Sequence, residues 1–409
     1  MPIGFTKVAV GFLLYDDILV GGGGNDTLQG GNARDGIYGY GGDDLLRGYG
    51  GDDYVDGGDG DDAVYGFAGD DTLHGGSGND HLYGAGDDDV LDGGTGDDYM
   101  HGNDGDDEIH GGAGSDILYG DAGNDSMWGG ADSDWLYGGT GNDYMSGDDA
   151  ADYFWGGAGD DEIWGGSGDD YIVADGWTTV TYMGMTFQLQ VLGDDVIHAG
   201  SGADYVWAGV GNDWIDGGAG ADTILGDDGI DTVSYAESSM AVFIHLQPTG
   251  LETCFAEQSG GDANGDLLAG IENVEGSNHD DVIDGDGAAN TLWGNAGNDI
   301  LDGGDGNDRL YGDKGNDTLD GGLGDDTLIG GIGADLFVVD DASGSTRIVG
   351  FEAGPGLGDR IDLSAYGVGF GDLVFQDSIV GTFVHVPGAE GILLEGLGSA
   401  ALVADDFVF

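Results

Sequence analysis

From residue 21 to residue 173 the chain repeats one nine-residue phrase without a break. The phrase is G-G-x-G-x-D-x-U-x, with U a large apolar residue, and it opens as Gly21-Gly22-Gly23-Gly24-Asn25-Asp26-Thr27-Leu28-Gln29. These 153 positions make 17 nonapeptides; the sixth position is Asp in every one, and the eighth is apolar from Leu28 and Ile37 to Ile172. Self-similarity at a short fixed period marks a solenoid, in which each unit buries its apolar face only by stacking on its neighbours. The glycines permit tight turns where a side chain clashes. The triplet x-U-x reads as a minimal strand, with U on one side and its neighbours on the other. Two repeats then form one coil of about 18 residues, with parallel strands facing each other across the U side chains at roughly 4.8 Å from coil to coil.

One apolar residue in nine is a small core for so many ordered glycines, and the acids work against it. The chain has 409 residues, 93 of them Gly, with 81 Asp plus Glu against 7 Lys plus Arg and a formal net charge of −74. A hard divalent cation supplies what is missing. Ca²⁺ takes six to eight oxygens from carboxylates and backbone carbonyls, and glycine turns offer unobstructed carbonyls. Its binding free energy then becomes folding free energy. The same charge excludes nucleic acid and anionic membrane as partners, since both require basic patches. Cys254 is the only cysteine, so no internal disulfide forms, and it reads as incidental. No apolar run is long enough for a transmembrane helix.

The period organises the remaining chain. Residues 1–20 read as a lead-in and half coil, with Asp17 and Leu19 in register, in preference to a signal peptide built on Lys7 and the apolar run 8–15. Residues 174–192 break the period. There Trp177–Tyr182 and Thr186–Gln190 flank Met183-Gly184 as a β-hairpin insertion. A second array follows at 193–234, a spacer at 235–275 containing the strand-like Val242–Leu246, a third array at 276–338, and a β cap at 339–409. In the third array Asn290 replaces one sixth-position Asp, which removes a charge. Asp262-Ala263-Asn264-Gly265-Asp266 starts like an EF-hand loop, but Leu267 stands where the glycine belongs and Asn273 where the bidentate Glu belongs.

The G-G-x-G-x-D turns resemble those of the RTX (repeats-in-toxin) secreted proteins, over nearly everything after about residue 12. The resemblance implies an all-β, Ca²⁺-dependent parallel β-roll in several blocks, with β-hairpin insertions and a β C-terminal cap. It also implies multiple Ca²⁺ ions held between coils by sixth-position carboxylates and turn carbonyls. Carried over residue by residue, the metal ligands are Asp26, Asp35, Asp44, Asp53, Asp62, Asp71, Asp80, Asp89, Asp98, Asp107, Asp116, Asp125, Asp134, Asp143, Asp152, Asp161 and Asp170 in the first array. Asp195, Asp204, Asp213, Asp222 and Asp231 follow in the second, and Asp281, Asp299, Asp308, Asp317, Asp326 and Asp335 in the third. Ala33, Asp87, Asp132 and Ala150 depart from the fourth-position Gly, which weakens the sites at those turns. Residues 358–365 are similar to the segment after the repeats in serralysin-type proteins. The ending Asp405-Asp406-Phe407-Val408-Phe409 is similar to the uncleaved signal of type I secretion substrates, which implies export and an extracellular or surface location. The alternative is a final strand of the cap, and the two are compatible.

No chemistry of related enzymes is legible. H-E-x-x-H and G-x-S-x-G are both absent, and carboxylate pairs occur by density alone, so the chain reads as a non-enzyme. Two roles remain, a calcium-folded structural or matrix protein and a carbohydrate-binding or self-associating module. The second draws on ninth-position Tyr65, Tyr83, His101, Tyr119, Tyr137 and Trp155, with His81, Tyr99, Trp135, Tyr153 and Tyr171 beside them at seventh positions. Recurring every 18 residues, they are expected to stack on one face.

Overall fold

A computed structural model describes residues 15–175, 177–182, 185–190, 193–246, 256–257, 259–339, 344–354, 358–389 and 391–409. The signal-peptide alternative (residues 7–14), the turn Met183-Gly184 and Cys254 lie outside the described residues. The chain divides into two compact units, Met1–Asp213 and Trp214–Phe409. Each is an all-β parallel solenoid.

In the first unit the strands alternate between two sheets. One contains Asp17–Val20, Asp35–Gly41, Tyr54–Asp59 and so on to Val196–Gly202; the other runs from Thr27–Gln29 and Leu45–Gly50 to Tyr205–Gly211. Neighbours within a sheet are parallel and 18 residues apart, as in Leu46↔Val64 and Met100↔Leu118. Asp17 pairs with Asp35 and Leu19 with Ile37, so the opening strand is in register as expected. Every eighth-position side chain from Ile37 to Ile172 is fully buried between the sheets. Seventh and ninth positions point outward.

One expectation needs correction. The strands of the first unit run mostly six residues, as in Leu45–Gly50 and Ala63–Ala68, not three. The turn also stacks on the turn of the next coil, with Tyr49↔Phe67 and Gly50↔Ala68 in register. Its amides need partners as much as the strand's do. Gly60 N donates to Ser77 O at 2.7 Å and Gly78 N to Thr95 O at 2.9 Å, so pairing continues through the turn. The hairpin of residues Trp177–Tyr182 and Met185–Gln190 is antiparallel and interrupts none of this.

In the third array the strands are three or four residues long, for example Ile300–Asp302, Thr318–Asp320 and Asp326–Ile329, and among the described residues the turns meet in single bridges such as Asp305↔Leu323. Phe243–His245 of the spacer is itself a coil strand, parallel to Val282–Asp284, with Val242, Ile244 and Leu246 buried. In the cap, Thr346–Val349 pairs with Ile392–Glu395, a strand not anticipated from the sequence, and Gly381–His385 and Val374–Asp377 continue that sheet antiparallel. The terminal Phe407–Val408 pairs with Arg360–Asp362.

Candidate metal centre

The sixth-position aspartates form a ladder beside each turn. In the first unit each donates its backbone N–H to Oδ1 of the Asp one coil on, over 2.6–3.0 Å, from Asp26 to Asp44 through to Asp195 to Asp213. Across the hairpin the spacing widens to 34 residues, Asp161 to Asp195 and Asp170 to Asp204, yet the bond is kept at 2.7 Å. In the second unit the ladder joins Asp281, Asn290, Asp299, Asp308 and Asp317 to their counterparts 18 residues on. All of these acids are buried except Asp26, which is half-buried.

The second carboxylate oxygen is the distinctive one. Among the described residues, Oδ2 of Asp44, Asp53, Asp62, Asp71, Asp80, Asp89, Asp98, Asp107, Asp116, Asp125, Asp134, Asp143, Asp152 and Asp170 is buried with no hydrogen-bond donor. The same holds for Asp299, Asp308, Asp317, Asp326 and Asp335. What faces this oxygen is another acceptor. A Cβ placed on Gly303 falls 2.6 Å from Asp308 Oδ2 and 2.8 Å from the Gly321 carbonyl. On Gly312 it falls 2.5 Å from Asp317 Oδ2 and 2.7 Å from the Gly330 carbonyl. The first glycine of the repeat therefore keeps open a small oxygen-lined cradle, at distances a calcium–oxygen contact also spans. Among the described residues no three His, Cys, Asp or Glu side chains converge on a metal cluster. The donors here are one carboxylate oxygen and backbone carbonyls.

Asn290 is an internal control. Its Oδ1 accepts from Asp286 N at 2.9 Å, and its Nδ2 donates to the Glu272 carbonyl at 2.7 Å. Its cradle is lined like the others, by Asn290 Oδ1 and the Gly303 carbonyl, but here the side-chain oxygen has an amide donor and the side chain carries no charge. The donor set fits Ca²⁺, and every residue needed belongs to the chain.

The family described as RTX calcium-binding nonapeptide repeat (4 copies) matches residues 14–46, 30–64, 65–100, 101–136, 146–176, 192–215, 198–233, 275–310 and 302–337, well over half of the sequence. This chain belongs to the RTX repeat family. Its repeats are of the calcium-binding kind. Among solved structures, the RTX chain is similar to the AlgE6R3 subunit of the Azotobacter vinelandii mannuronan C5-epimerase, with 34% identity over 32% of this chain and 79% of that one and a TM-score of 0.23. It is also similar to the extracellular lipase LipA from Serratia marcescens, with 17% identity over 67% of this chain and 42% of that one and a TM-score of 0.19. No curated protein matches it significantly in sequence.

Burial controls the electrostatics of the RTX turns. It pushes Asp89 up to about 8, and Asp71, Asp80, Asp98, Asp116, Asp125, Asp134, Asp152 and Asp170 to about 7. The amide of the previous Asp partly opposes the shift, and neighbouring carboxylates reinforce it. Asp299, Asp308 and Asp317 behave alike.

Three of the sequence-predicted ligands are arranged differently. Asp26 Oδ2 accepts from Gly22 N at 2.7 Å, and Asp35 Oδ2 from Gly31 N at 2.6 Å. Asp281 takes Ser277 N on Oδ2 at 2.6 Å and Ser277 Oγ on Oδ1 at 2.8 Å. Conversely, sequence reasoning missed Asp266, Glu272 and Asp359, which accept the ladder amides of Asp222, Asp231 and Asp335 at 2.9, 2.9 and 3.0 Å. Asp266-Leu267-Leu268-Ala269-Gly270 and Asp359-Arg360-Ile361-Asp362 both carried the D-x-U-x signal. The EF-hand comparison hid the first. Also missed was a second, exposed ladder at the fifth position, running the other way. Asn79 N donates to Asp61 Oδ1 at 2.9 Å, and Asp97 N to Asn79 Oδ1 at 3.0 Å. The recurrent Asp and Asn at that position were its signal. Of the fourth-position departures, Asp87, Asp132 and Ala150 hold the left-handed backbone at φ 73°, 73° and 82°. Second-position Tyr49, Phe67, Ala85, Asn103 and Asp121 do the same, a departure that the template did not anticipate.

Proposed function

We propose that this RTX chain is an exported structural protein that becomes a roll when Ca²⁺ enters its turns. The buried, donorless Oδ2 opposite a glycine carbonyl carries this reading. In each such turn the sixth-position carboxylate and the carbonyl of the next coil hold the ion. The metal supplies positive charge between acceptors that otherwise repel. An unfolded chain threads an exporter where calcium is scarce and folds outside, where it is plentiful. The terminal acidic-apolar run supports a type I exporter as the cellular partner. Phe407 packs against Phe370 and Phe375 in the folded cap, so a signal there is read before folding. The decisive experiment is circular dichroism of the full chain in excess chelator and in millimolar Ca²⁺. Disorder changing to β-structure is expected; a folded spectrum that persists in chelator refutes the reading.

A contact surface is the second reading, favoured by the aromatic rows. Tyr65, Tyr83, His101, Tyr119, Tyr137 and Trp155 stack on one sheet with ring centroids 5.0, 5.6, 4.3, 4.6 and 4.8 Å apart and interplanar angles of 3–9°. Their faces are therefore spent on each other, and edges meet the solvent. Beside them Trp135, Tyr153 and Tyr171 stay 40%, 37% and 36% exposed. Polysaccharide or a second copy would meet those rings first. Replacing Trp135 and Tyr153 by Ser should abolish retention on polysaccharide resins while the chain still folds on saturation with calcium.

A further inference from the structure

Four consecutive half-coils of the second unit hold their acids or their Asn without any bare oxygen of the kind found between Asp44 and Asp152. Tyr235 is buried, and its hydroxyl donates to Asp266 Oδ2 at 3.0 Å, while Oδ1 of the same carboxylate accepts Asp222 N. Glu272 replaces Asp on the next half-coil and accepts Asp231 N. Ser277 supplies both an amide and a hydroxyl to Asp281. Asn290 donates its side-chain amide to the Glu272 carbonyl. At Asp266, Asp281 and Asn290 the side-chain oxygen that stays bare in the arrays receives a donor from the chain itself. From this contrast we infer that residues 235–246 and 259–290 take no calcium in their turns and fold without it, as a metal-independent nucleus that includes the start of the third array.

The apolar side of the stretch is complete enough to support this. Val242, Ile244, Ala263, Ile271, Val274 and Ile283 are all buried. Long-range pairing is present too, with Phe243–His245 on Val282–Asp284 and Thr232–Ser234 on Asn273–Glu275. A buried carboxylate whose oxygens all receive hydrogen bonds has no remaining demand for a cation. One whose Oδ2 is bare does. The nucleus presents Asp281 and Asn290 to the rest of the third array, and their amides already donate to Asp299 and Asp308. The first cation-dependent coil there starts from a finished template.

The inference rests on the calcium reading of the arrays, and one measurement separates the two. Hydrogen exchange of the full chain at pH 7.5, read by peptide mass spectrometry, is followed in chelator and through a Ca²⁺ titration. Amides of 232–246 and 264–293 should be protected in chelator, while those of 44–170 exchange freely until Ca²⁺ is added. Protection of 44–170 in chelator overturns the calcium reading itself. Free exchange of 264–293 in chelator, recovering together with 44–170, overturns the nucleus alone. Two variants turn the nucleus into a dependent segment. Tyr235→Phe strips the donor from Asp266, and Asn290→Asp replaces the neutral amide, with its donor to the Glu272 carbonyl, by a buried carboxylate. Each should make protection of 264–293 calcium-dependent while leaving that of 44–170 unchanged. Protection in chelator that is indifferent to both changes refutes the role given to these donors.

Discussion

At Asp80, Oδ1 takes the amide of Asp62 at 2.7 Å while Oδ2 stays buried without a donor, and the two oxygens answer to different conditions. The first needs only the fold. The second needs a proton or a cation, which makes the roll sensitive to pH with opposite signs in the two cases. Folded pKa values near 7 lie above the ordinary 3.8. For the metal-free chain the associated stability is therefore full below the unfolded value and is lost as pH rises through 6–8. Ca²⁺ requires the ionised form, so its midpoint for folding should fall as pH rises from 6 to 8. A dichroism titration at several pH values checks this; a midpoint independent of pH contradicts it. Gly303→Ala should disable a single turn, because the new Cβ fills the cradle beside Asp308. Calorimetry should count a lower calcium stoichiometry with the remainder of the roll intact. The sequence located these acids well, because a strict period fixes which residue faces the turn. It could not divide labour between Oδ1 and Oδ2, nor see that Gly22, Gly31 or Ser277 satisfies one of them, because those bonds depend on turn geometry and not on residue type.

Strands and turns in the first unit form one continuous pairing, and that is where the template was least informative. The x-U-x triplet accounted for burial correctly, but the extra three residues per strand come from turn-on-turn stacking, which has no hydrophobic signature. The edge carrying Tyr49, Phe67, Ala85, Asn103 and Asp121 holds L-residues at φ 76–93°, a conformation that costs roughly 1–2 kcal/mol per residue. Some return is visible. Tyr49 stacks on Phe67 at 5.1 Å, and Asp121 accepts from Asn103 at 2.8 Å and sits 2.7 Å from His101 Nδ1. Ala85 has no such return, so Ala85→Gly should stabilise the roll by about 1 kcal/mol and lower the calcium needed for folding. An unchanged or higher midpoint would contradict that. In the neighbouring column, Tyr119→Ser with Tyr137→Ser removes stacked pairs worth about 0.5–1.5 kcal/mol each. The calcium midpoint should rise measurably, because those ring faces are committed to one another.

For the whole molecule, the period announced a solenoid, and both units are one. The interruptions were legible as interruptions, but not as working parts. Phe243–His245 and Asp266 lie in the spacer and yet belong to coils, since a coil needs only a strand and an acid in register and tolerates any length between them. The cap was read for its strands except Ile392–Glu395, whose neighbours Gly391 and Gly396 gave no repeat context. Removing residues 398–409 deletes the strand Phe407–Val408 together with the acidic-apolar run. Export through a type I apparatus should cease, while the calcium-induced protection of residues 44–170 remains. Normal export of the truncated chain would reassign the signal.

The 18-residue spacing of the ladder makes the first unit behave like a screw with a fixed pitch. Deleting 18 residues, for instance 75–92, is then a pure translation: Asp62 meets Asp98 in the place of Asp80, and the rings of Tyr65 and His101 become neighbours. Deleting nine is a half-turn that carries everything downstream to the opposite sheet. The carboxylate ladder survives, because both edges are alike, but the aromatic column is severed and its second half lies across the roll from the first. Length can thus vary in whole turns with the decoration of each face preserved, whereas a half-turn keeps the metal chemistry and scrambles the surface.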